Sequence, residues 1–319
     1  MSVILATGGA GFIGSHLAEA LVREGREVVV LDNFDDFYSP EVKRRNLEHL
    51  AGRRGFTLIE GDIRDEALVE KVFTVHPISV VVHLAALAGV RPSIQRPLQY
   101  CDVNVMGTAI LLEACRRHGI AKFIFGSSSS VYGNNTKLPF SEKDDVDRPI
   151  SPYAATKRAG ELLCATYHEL YRLNVCALRF FTVYGPRQRP EMAIHKFTRL
   201  IDRGLPVPRF GDGSTRRDYT YITDIIDGVM RAIERVQGFE IINLGGSQTT
   251  GLSDLIALLE ENLGQRAVVE EEPGQPGDVV ATWADVEKAR RLLEFEPKIP
   301  VEEGIRRFAE WYRSSRVRA

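Results

Sequence analysis

Thr7-Gly8-Gly9-Ala10-Gly11-Phe12-Ile13-Gly14 follows a short apolar run at residues 3–6 and precedes apolar residues at helical spacing, Ile13, Leu17 and Leu21. That order predicts a strand, a Gly-rich turn and a helix. Gly8, Gly11 and Gly14 recur every third residue, and positions without a Cβ let a pyrophosphate approach backbone N–H groups at a helix N-terminus. A second apolar run at residues 28–31 ends in Asp32, 18 residues past Gly14. A carboxylate there can accept from both hydroxyls of an adenine ribose and repels a 2'-phosphate, so NAD is expected over NADP.

Further strands are expected at residues 57–60, 80–84 and 123–127, each after a helical stretch. Such alternation predicts an α/β fold with a Rossmann-type, doubly wound parallel sheet. Ligand contacts then fall at the carboxyl ends of the strands. Asp62 and Ile63 are placed at the adenine, and Leu84, Ala85 and Ala86 around phosphates and riboses. Asp62 has a second reading, as the cap of a helix over residues 64–72.

The chain has 319 residues, 44% hydrophobic and 26% charged, which is enough for one large domain or two smaller ones. A net charge of −2 gives no electrostatic case for nucleic acid or an anionic membrane, so small-molecule partners are expected. Cys101, Cys115, Cys164 and Cys176 fit neither metal spacing nor a disulfide rhythm, and no metal is expected. They read as buried free thiols in a reducing compartment. The opening residues lack a signal-peptide pattern and no run approaches 18 apolar residues, so a cytoplasmic location is expected.

Ser151-Pro152-Tyr153-Ala154-Ala155-Thr156-Lys157 opens an amphipathic helix in which Tyr153 and Lys157 share a face. A tyrosine ordinarily titrates near pH 10, and bringing it near 7 takes roughly 4 kcal/mol. One unit charge about 4 Å away, at an effective dielectric of about 20, contributes roughly that much. Lys157 and a positively charged nicotinamide are the two cations expected to act, making Tyr153 a general base for a sugar or alcohol hydroxyl, with a half-buried ring beside a solvated amine the other reading of the pair. Upstream, Gly126-Ser127-Ser128-Ser129-Ser130 ends a strand in hydroxyls. Those hydroxyls either face a ligand or cap their own turn; beside Tyr153 and Lys157, the ligand reading places Ser128 in a Ser, Tyr, Lys set.

TGGAGFIG, HLAA, VNVMGT, SSSSVYG, SPYAATK, GDGSTRRDYTYITDI and GDVVATWAD together resemble the extended short-chain dehydrogenases/reductases of the nucleotide-sugar epimerase and dehydratase group. The resemblance spans essentially the whole chain. It implies NAD retained through the cycle, a UDP-sugar substrate, catalysis by Ser128, Tyr153 and Lys157, and a homodimer built from helices near residues 98–117 and 153–172. It also implies that Asn104 supports the cofactor site, and that Phe12, Ile13, Asn33, Phe34 and Phe180 join it. Arg217 is expected to clamp the UDP diphosphate, unless it pairs with neighbouring Asp218. Residues 1–179, with 218–245 returning to them, are read as the NAD-binding domain; residues 180–217 and 246–319 are read as the smaller C-terminal α/β domain for the UDP-sugar.

Dehydratases of the group carry an Asp-Glu pair after the serine of the triad, and the related decarboxylases carry a Glu. Here Ser129 and Ser130 stand instead, which argues for plain epimerisation. The run from Thr182 through Arg189-Pro190-Glu191-Met192-Ala193 resembles UDP-glucuronate 4-epimerases, and so do residues 32–47 and 275–278. Thr182 and Arg189 are expected to hold a sugar carboxylate, with Arg189 as an exposed loop charge the other reading. UDP-glucose and UDP-N-acetylglucosamine are the alternative substrates. Arg91, Ser129 and Asp278 complete the expected sugar-nucleotide contacts, and Phe210 either meets the uracil or packs in the core. Arg187-Gln188 departs from the Trp-Gly of many relatives, which leaves the shape of that loop open.

Overall fold

The computed structural model describes residues 3–211, 213–273 and 279–316. Seven parallel strands form one sheet, in the order Phe239–Leu244, Asn174–Phe180, Lys122–Ser128, Ile78–His83, Val3–Thr7, Glu27–Asp32, Phe56–Glu60. Its central strands are apolar on both faces because each face is covered. Ile4, Val28, Val30 and Val82 pack with Leu17, Leu21, Ile225 and Val229 on one side. Leu5, Val29, Leu31 and Val81 pack with Val69, Leu111, Cys115 and Cys164 on the other. Strand order reverses between Val3–Thr7 and Ile78–His83, which opens a crevice at their carboxyl ends.

After Phe180 the chain leaves the sheet, and it returns at Phe239–Leu244. Thr182–Tyr184 pairs with Tyr219–Tyr221, Arg216–Arg217 with Thr250–Gly251, and Pro206–Phe210 with Val268–Glu272. Helices Ala193–Asp202, Leu252–Leu263 and Val301–Arg316 pack together beside these pairs. Among the described residues no helix is long and apolar enough to cross a membrane.

Two expectations change. The stretch near residues 98–117 is not one helix: Pro97–Tyr100 runs into a π-helical turn, Cys101–Met106, before Gly107–Arg117. Asn104, buried in that turn, donates to Leu87 O at 3.0 Å and accepts from Leu87 N at 2.8 Å, so its side chain fastens the helix to the crevice. π-turns are frequent at functional sites. Of the four free cysteines, Cys101 is exposed at the head of the turn, whereas Cys115, Cys164 and Cys176 are buried.

Candidate active site

The Gly-rich turn lies hard against the neighbouring strand. Gly8 has φ +69, and a Cβ there would sit 2.6 Å from Ala85 N; on Gly14 it would sit 2.2 Å from Gly8 O. Side chains are excluded, and the turn keeps its backbone open to the crevice, which Gly8, Gly11, Phe12, Ile13 and Gly14 line. Asp32 accepts from Ala10 N and Phe34 N, both at 2.9 Å, one on each carboxylate oxygen. Burial pushes its carboxyl above the usual range against those two bonds. Each oxygen keeps lone pairs for a ribose. Asp32→Ala is expected to weaken NAD binding by about tenfold or more, read from NAD content in acid extracts and from titration of the stripped protein. Unchanged NAD content and affinity would remove Asp32 from the cofactor site.

Asn33, Asp62, Ile63, Leu84, Ala85, Ala86 and Phe180 also line the crevice. Asp62 is not a helix cap; Asp65 is, accepting from Leu68 N at 3.0 Å ahead of Glu66–Val75. Asp62 binds Asn33 Nδ2 and Arg64 instead, and the Arg64 guanidinium draws its carboxyl down to about 2. Phe34, expected at the cofactor, is buried beneath the Arg44 guanidinium, 4.2 Å from ring centre to Cζ. Its backbone has φ +52, which turns the side chain inward. Asn104 stays behind the wall and acts on it through Leu87, while its amide also donates to Thr156 Oγ1 at 3.0 Å.

Ser128, Tyr153 and Lys157 converge on the same crevice. Ser128 caps its own turn, its Oγ accepting from Ser130 N at 3.1 Å, and it also shares a hydrogen bond with Tyr153. Ser151 caps the helix Pro152–Tyr171 through Ala154 N at 3.1 Å, which sets where Tyr153 and Lys157 emerge. Lys157 Nζ donates to Gly126 O at 2.6 Å and lies 6.0 Å from the Tyr153 ring centre. Burial lowers Lys157 to about 8, with Glu161 opposing. Burial raises the Tyr153 phenol, opposed by the Ser128 hydrogen bond and the charge of Arg189. Arg189 thus adds a positive charge that acts on the phenol, while the Lys157 ammonium beside it is hydrogen-bonded to the Gly126 carbonyl.

Beneath the set, Glu161 accepts from Ser127 Oγ at 2.6 Å and from Arg179 Nε and Nη2 at 2.8 and 2.9 Å. All three residues are buried, and Arg179 stacks 4.8 Å from the Tyr132 ring centre. These bonds join the helix bearing Lys157 to Lys122–Ser128 and Asn174–Phe180, whose ends also line the crevice.

Of the expected sugar-nucleotide residues, Ser129, Thr182 and Arg189 line the crevice. Arg189 is no free loop charge: its guanidinium lies 5.6 Å from the Phe37 ring centre, and its Nε is 3.2 Å from Glu191. Arg91 and Phe210 do not line the crevice; they stack on each other, Cζ to ring centre 4.8 Å, next to the lining residue Val90. Phe210 is thus half-buried at the rim rather than in the core. Arg217 does not pair with Asp218. Its Nη1 donates to Arg216 O and Val280 O, because Asp218 is buried among donors: Gly246 N, Ser247 N, Ala284 N and Thr220 Oγ1. Asp278 lies outside the described residues.

The family description GDP-mannose 4,6 dehydratase matches residues 5–308. The UDP-glucuronate 4-epimerase of Thermodesulfobacterium geofontis is 42% identical over 312 residues, 98% of this chain and 96% of its own. The solved UDP-glucuronic acid 4-epimerase of Bacillus cereus, in complex with UDP-glucuronic acid and NAD, superposes with a TM-score of 0.93 at 39% identity, over 98% of this chain and 99% of that one. A UDP-glucose 4-epimerase from Thermotoga maritima, with UDP-glucose, gives 0.91 at 35% identity over the same shares. The chain belongs to the NAD-dependent epimerase/dehydratase family.

Beyond the residues that such a family suggests, the epimerase/dehydratase crevice here holds Phe37, Tyr38, Lys43 and Met192. Lys43 Nζ donates to Asp35 O at 2.6 Å and lies 4.9 Å from the Tyr38 ring centre. Tyr38 Oη is buried without a hydrogen-bond partner among the described residues. The only sequence signal was the run from Asp32 to Leu47, whose residues carry no chemistry until the helix Pro40–Leu47 folds back over Asp32.

Proposed function

We propose that the protein is a UDP-glucuronate 4-epimerase, interconverting UDP-glucuronate and UDP-galacturonate. NAD is its cofactor, and the Gly-rich turn and Asp32 described above fit it. The coarser activity, NAD-dependent epimerisation of a UDP-sugar, accords with relatives that act on the glucuronate and the glucose forms. The observation that carries the finer reading is the Arg189 guanidinium in the crevice with Thr182, close enough for its charge to act on Tyr153. A planar cation beside a hydroxyl suits a carboxylate. A neutral hydroxymethyl has no use for it.

In this reading Tyr153 takes the proton from the 4-hydroxyl while Ser128 holds the oxygen, and Lys157 supports the phenolate from below. NAD, when bound, accepts the hydride from carbon 4 and gives it back. The 4-keto sugar turns over between the two transfers, so hydride returns to its other face. Ser129 and Ser130 add no second acid or base for elimination. Arg217 and the Arg91–Phe210 stack are the groups proposed for the UDP moiety. Leu98, Met106, Leu162 and Leu170 are exposed on the helices near the crevice, which supports pairing of two copies; a monomer by sedimentation at micromolar concentration would reject it.

Arg189→Ala is expected to weaken UDP-glucuronate by about ten- to a hundredfold, the effect of roughly 1.5–3 kcal/mol for a bond to a charged group, and UDP-glucose far less. Equal losses on both sugars would assign Arg189 to the loop or the diphosphate. The oxidised glucuronate is also a β-keto acid, which loses carbon dioxide when its carboxylate stands perpendicular to the ketone. Loosening the grip with Arg189→Ala or Thr182→Val is expected to release UDP-4-keto-pentose, seen by mass spectrometry, and to leave NADH on the enzyme. If both variants slow without either species rising above wild type, carboxylate restraint does not protect the intermediate.

A further inference from the structure

Arg187 and Gln188 form a set of bonds that the reaction does not use. Arg187 has φ +65, a backbone region that a side-chain-bearing residue occupies only when its surroundings hold it there. Its Nη2 reaches Glu19 Oε2 at 2.6 Å, and His49 Nε2 lies 3.1 Å from the same oxygen. One residue earlier, His16 Nε2 is 2.9 Å from Pro186 O. A carbonyl can only accept, so His16 is the donor and its proton is on Nε2. Burial, and next the charge of Arg187, lower His16 to about 4, so it is neutral in this role.

Gln188 is 2% exposed and ties the same loop to its own lobe. Its Nε2 donates to Val183 O at 3.1 Å, its Oε1 accepts from His195 N at 3.2 Å, and its carbonyl accepts from His195 Nδ1 at 2.6 Å. His195 is in turn wedged against Phe308, Trp311 and Tyr312. The loop is thus held from both sides, and Arg189 is the next residue. His16 and Glu19 stand on the helix Phe12–Arg23, whose first residues line the cofactor turn.

We propose that Arg187, Glu19 and His16 are positioning residues: a latch that docks the 185–192 loop on the cofactor-binding helix and so fixes Arg189 over Tyr153. Sugar specificity then depends on a contact outside the crevice, and the seat of the cofactor and the grip on the substrate carboxylate move as one body. The catalytic part of this inference rests on the carboxylate reading of Arg189. The docking part does not.

The test uses the NAD-loaded enzyme with Glu19→Gln, Arg187→Met and Arg189→Ala, singly and with Arg187→Met combined with Arg189→Ala. Hydrogen exchange of the 185–192 amides is expected to speed up in Glu19→Gln and Arg187→Met. KM for UDP-glucuronate is expected to rise about fivefold in each, with kcat and UDP-glucose turnover near wild type, the upper range for a partly exposed ion pair. Arg187→Met is expected to add nothing in the Arg189→Ala background. Unchanged loop exchange in both variants overturns the latch, and equal effects on both sugars overturn its action through Arg189. Should Arg189→Ala itself spare the uronate preference, the carboxylate reading fails, and loop exchange still decides whether the latch exists.

Discussion

Tyr153→Phe is expected to keep the fold and the bound NAD and to lose at least about 100-fold in turnover, the lower range for a positioned proton transfer. Among the protein groups, burial raises the phenol, and only Ser128 and Arg189 pull the other way. In the proposed reading the oxidised cofactor, when bound, would supply further positive charge beside the phenol. The activity of Tyr153→Phe should also lose the ionisation that limits the wild-type rate on the acid side. The variant is checked by steady-state kinetics across pH, by NAD content and by circular dichroism. Turnover within a few-fold of wild type, with NAD still bound, would mean that another group takes the proton.

The second large effect falls on stability. Glu161→Ala removes one partner of a buried ion pair and leaves Arg179, 1% exposed, without its carboxylate. Such a break costs about 3–5 kcal/mol, to be read as a lower denaturation midpoint at unchanged slope. Replacing both partners, as Glu161→Leu with Arg179→Met, is expected to cost far less, because no uncompensated charge remains in the core. Glu161 also raises Lys157 against the burial that lowers it to about 8. Without that carboxylate Lys157 loses its proton at lower pH, so the alkaline limb of the pH–rate profile should shift downward in any Glu161→Ala enzyme that folds. A cost below about 1 kcal/mol would show that the pair does not hold these strand ends, and an unmoved alkaline limb that Glu161 does not support Lys157.

The fold could be read because its signal is local. Strands buried on both faces are continuous apolar runs, and the turn at Gly8 admits no side chain, so residues 3–32 already imply a sheet with a crevice at its carboxyl edge. Tyr153 and Lys157 were legible for the same reason, one helical turn apart behind a serine cap. What stayed hidden depends on residues far apart in the chain. Glu161 and Arg179 look like ordinary surface charges until the helix and strand meet. Lys43 gains its place only when its helix packs over Asp32, and Arg187 only when it finds Glu19, 168 positions away. Phe34, grouped with the cofactor residues by resemblance, has its ring in the core with φ +52, a placement that no local pattern announces.

The sheet's outer edge is completed late. Among the described residues Phe239–Leu244 is the only partner of Asn174–Phe180 on that side, and the whole excursion through Thr182–Tyr184, Pro206–Phe210 and Tyr219–Tyr221 separates them. On a ribosome the six preceding strands emerge first, with Asn174–Phe180 exposing an unpaired row of backbone donors and acceptors. An open, apolar strand of this kind templates pairing with other chains, and parallel pairing across a long separation is slow. The nascent protein therefore passes through an interval in which the strand that bears Arg179 is an open, aggregation-prone edge. Translation through residue 244, with release of that segment from the exit tunnel, ends the interval.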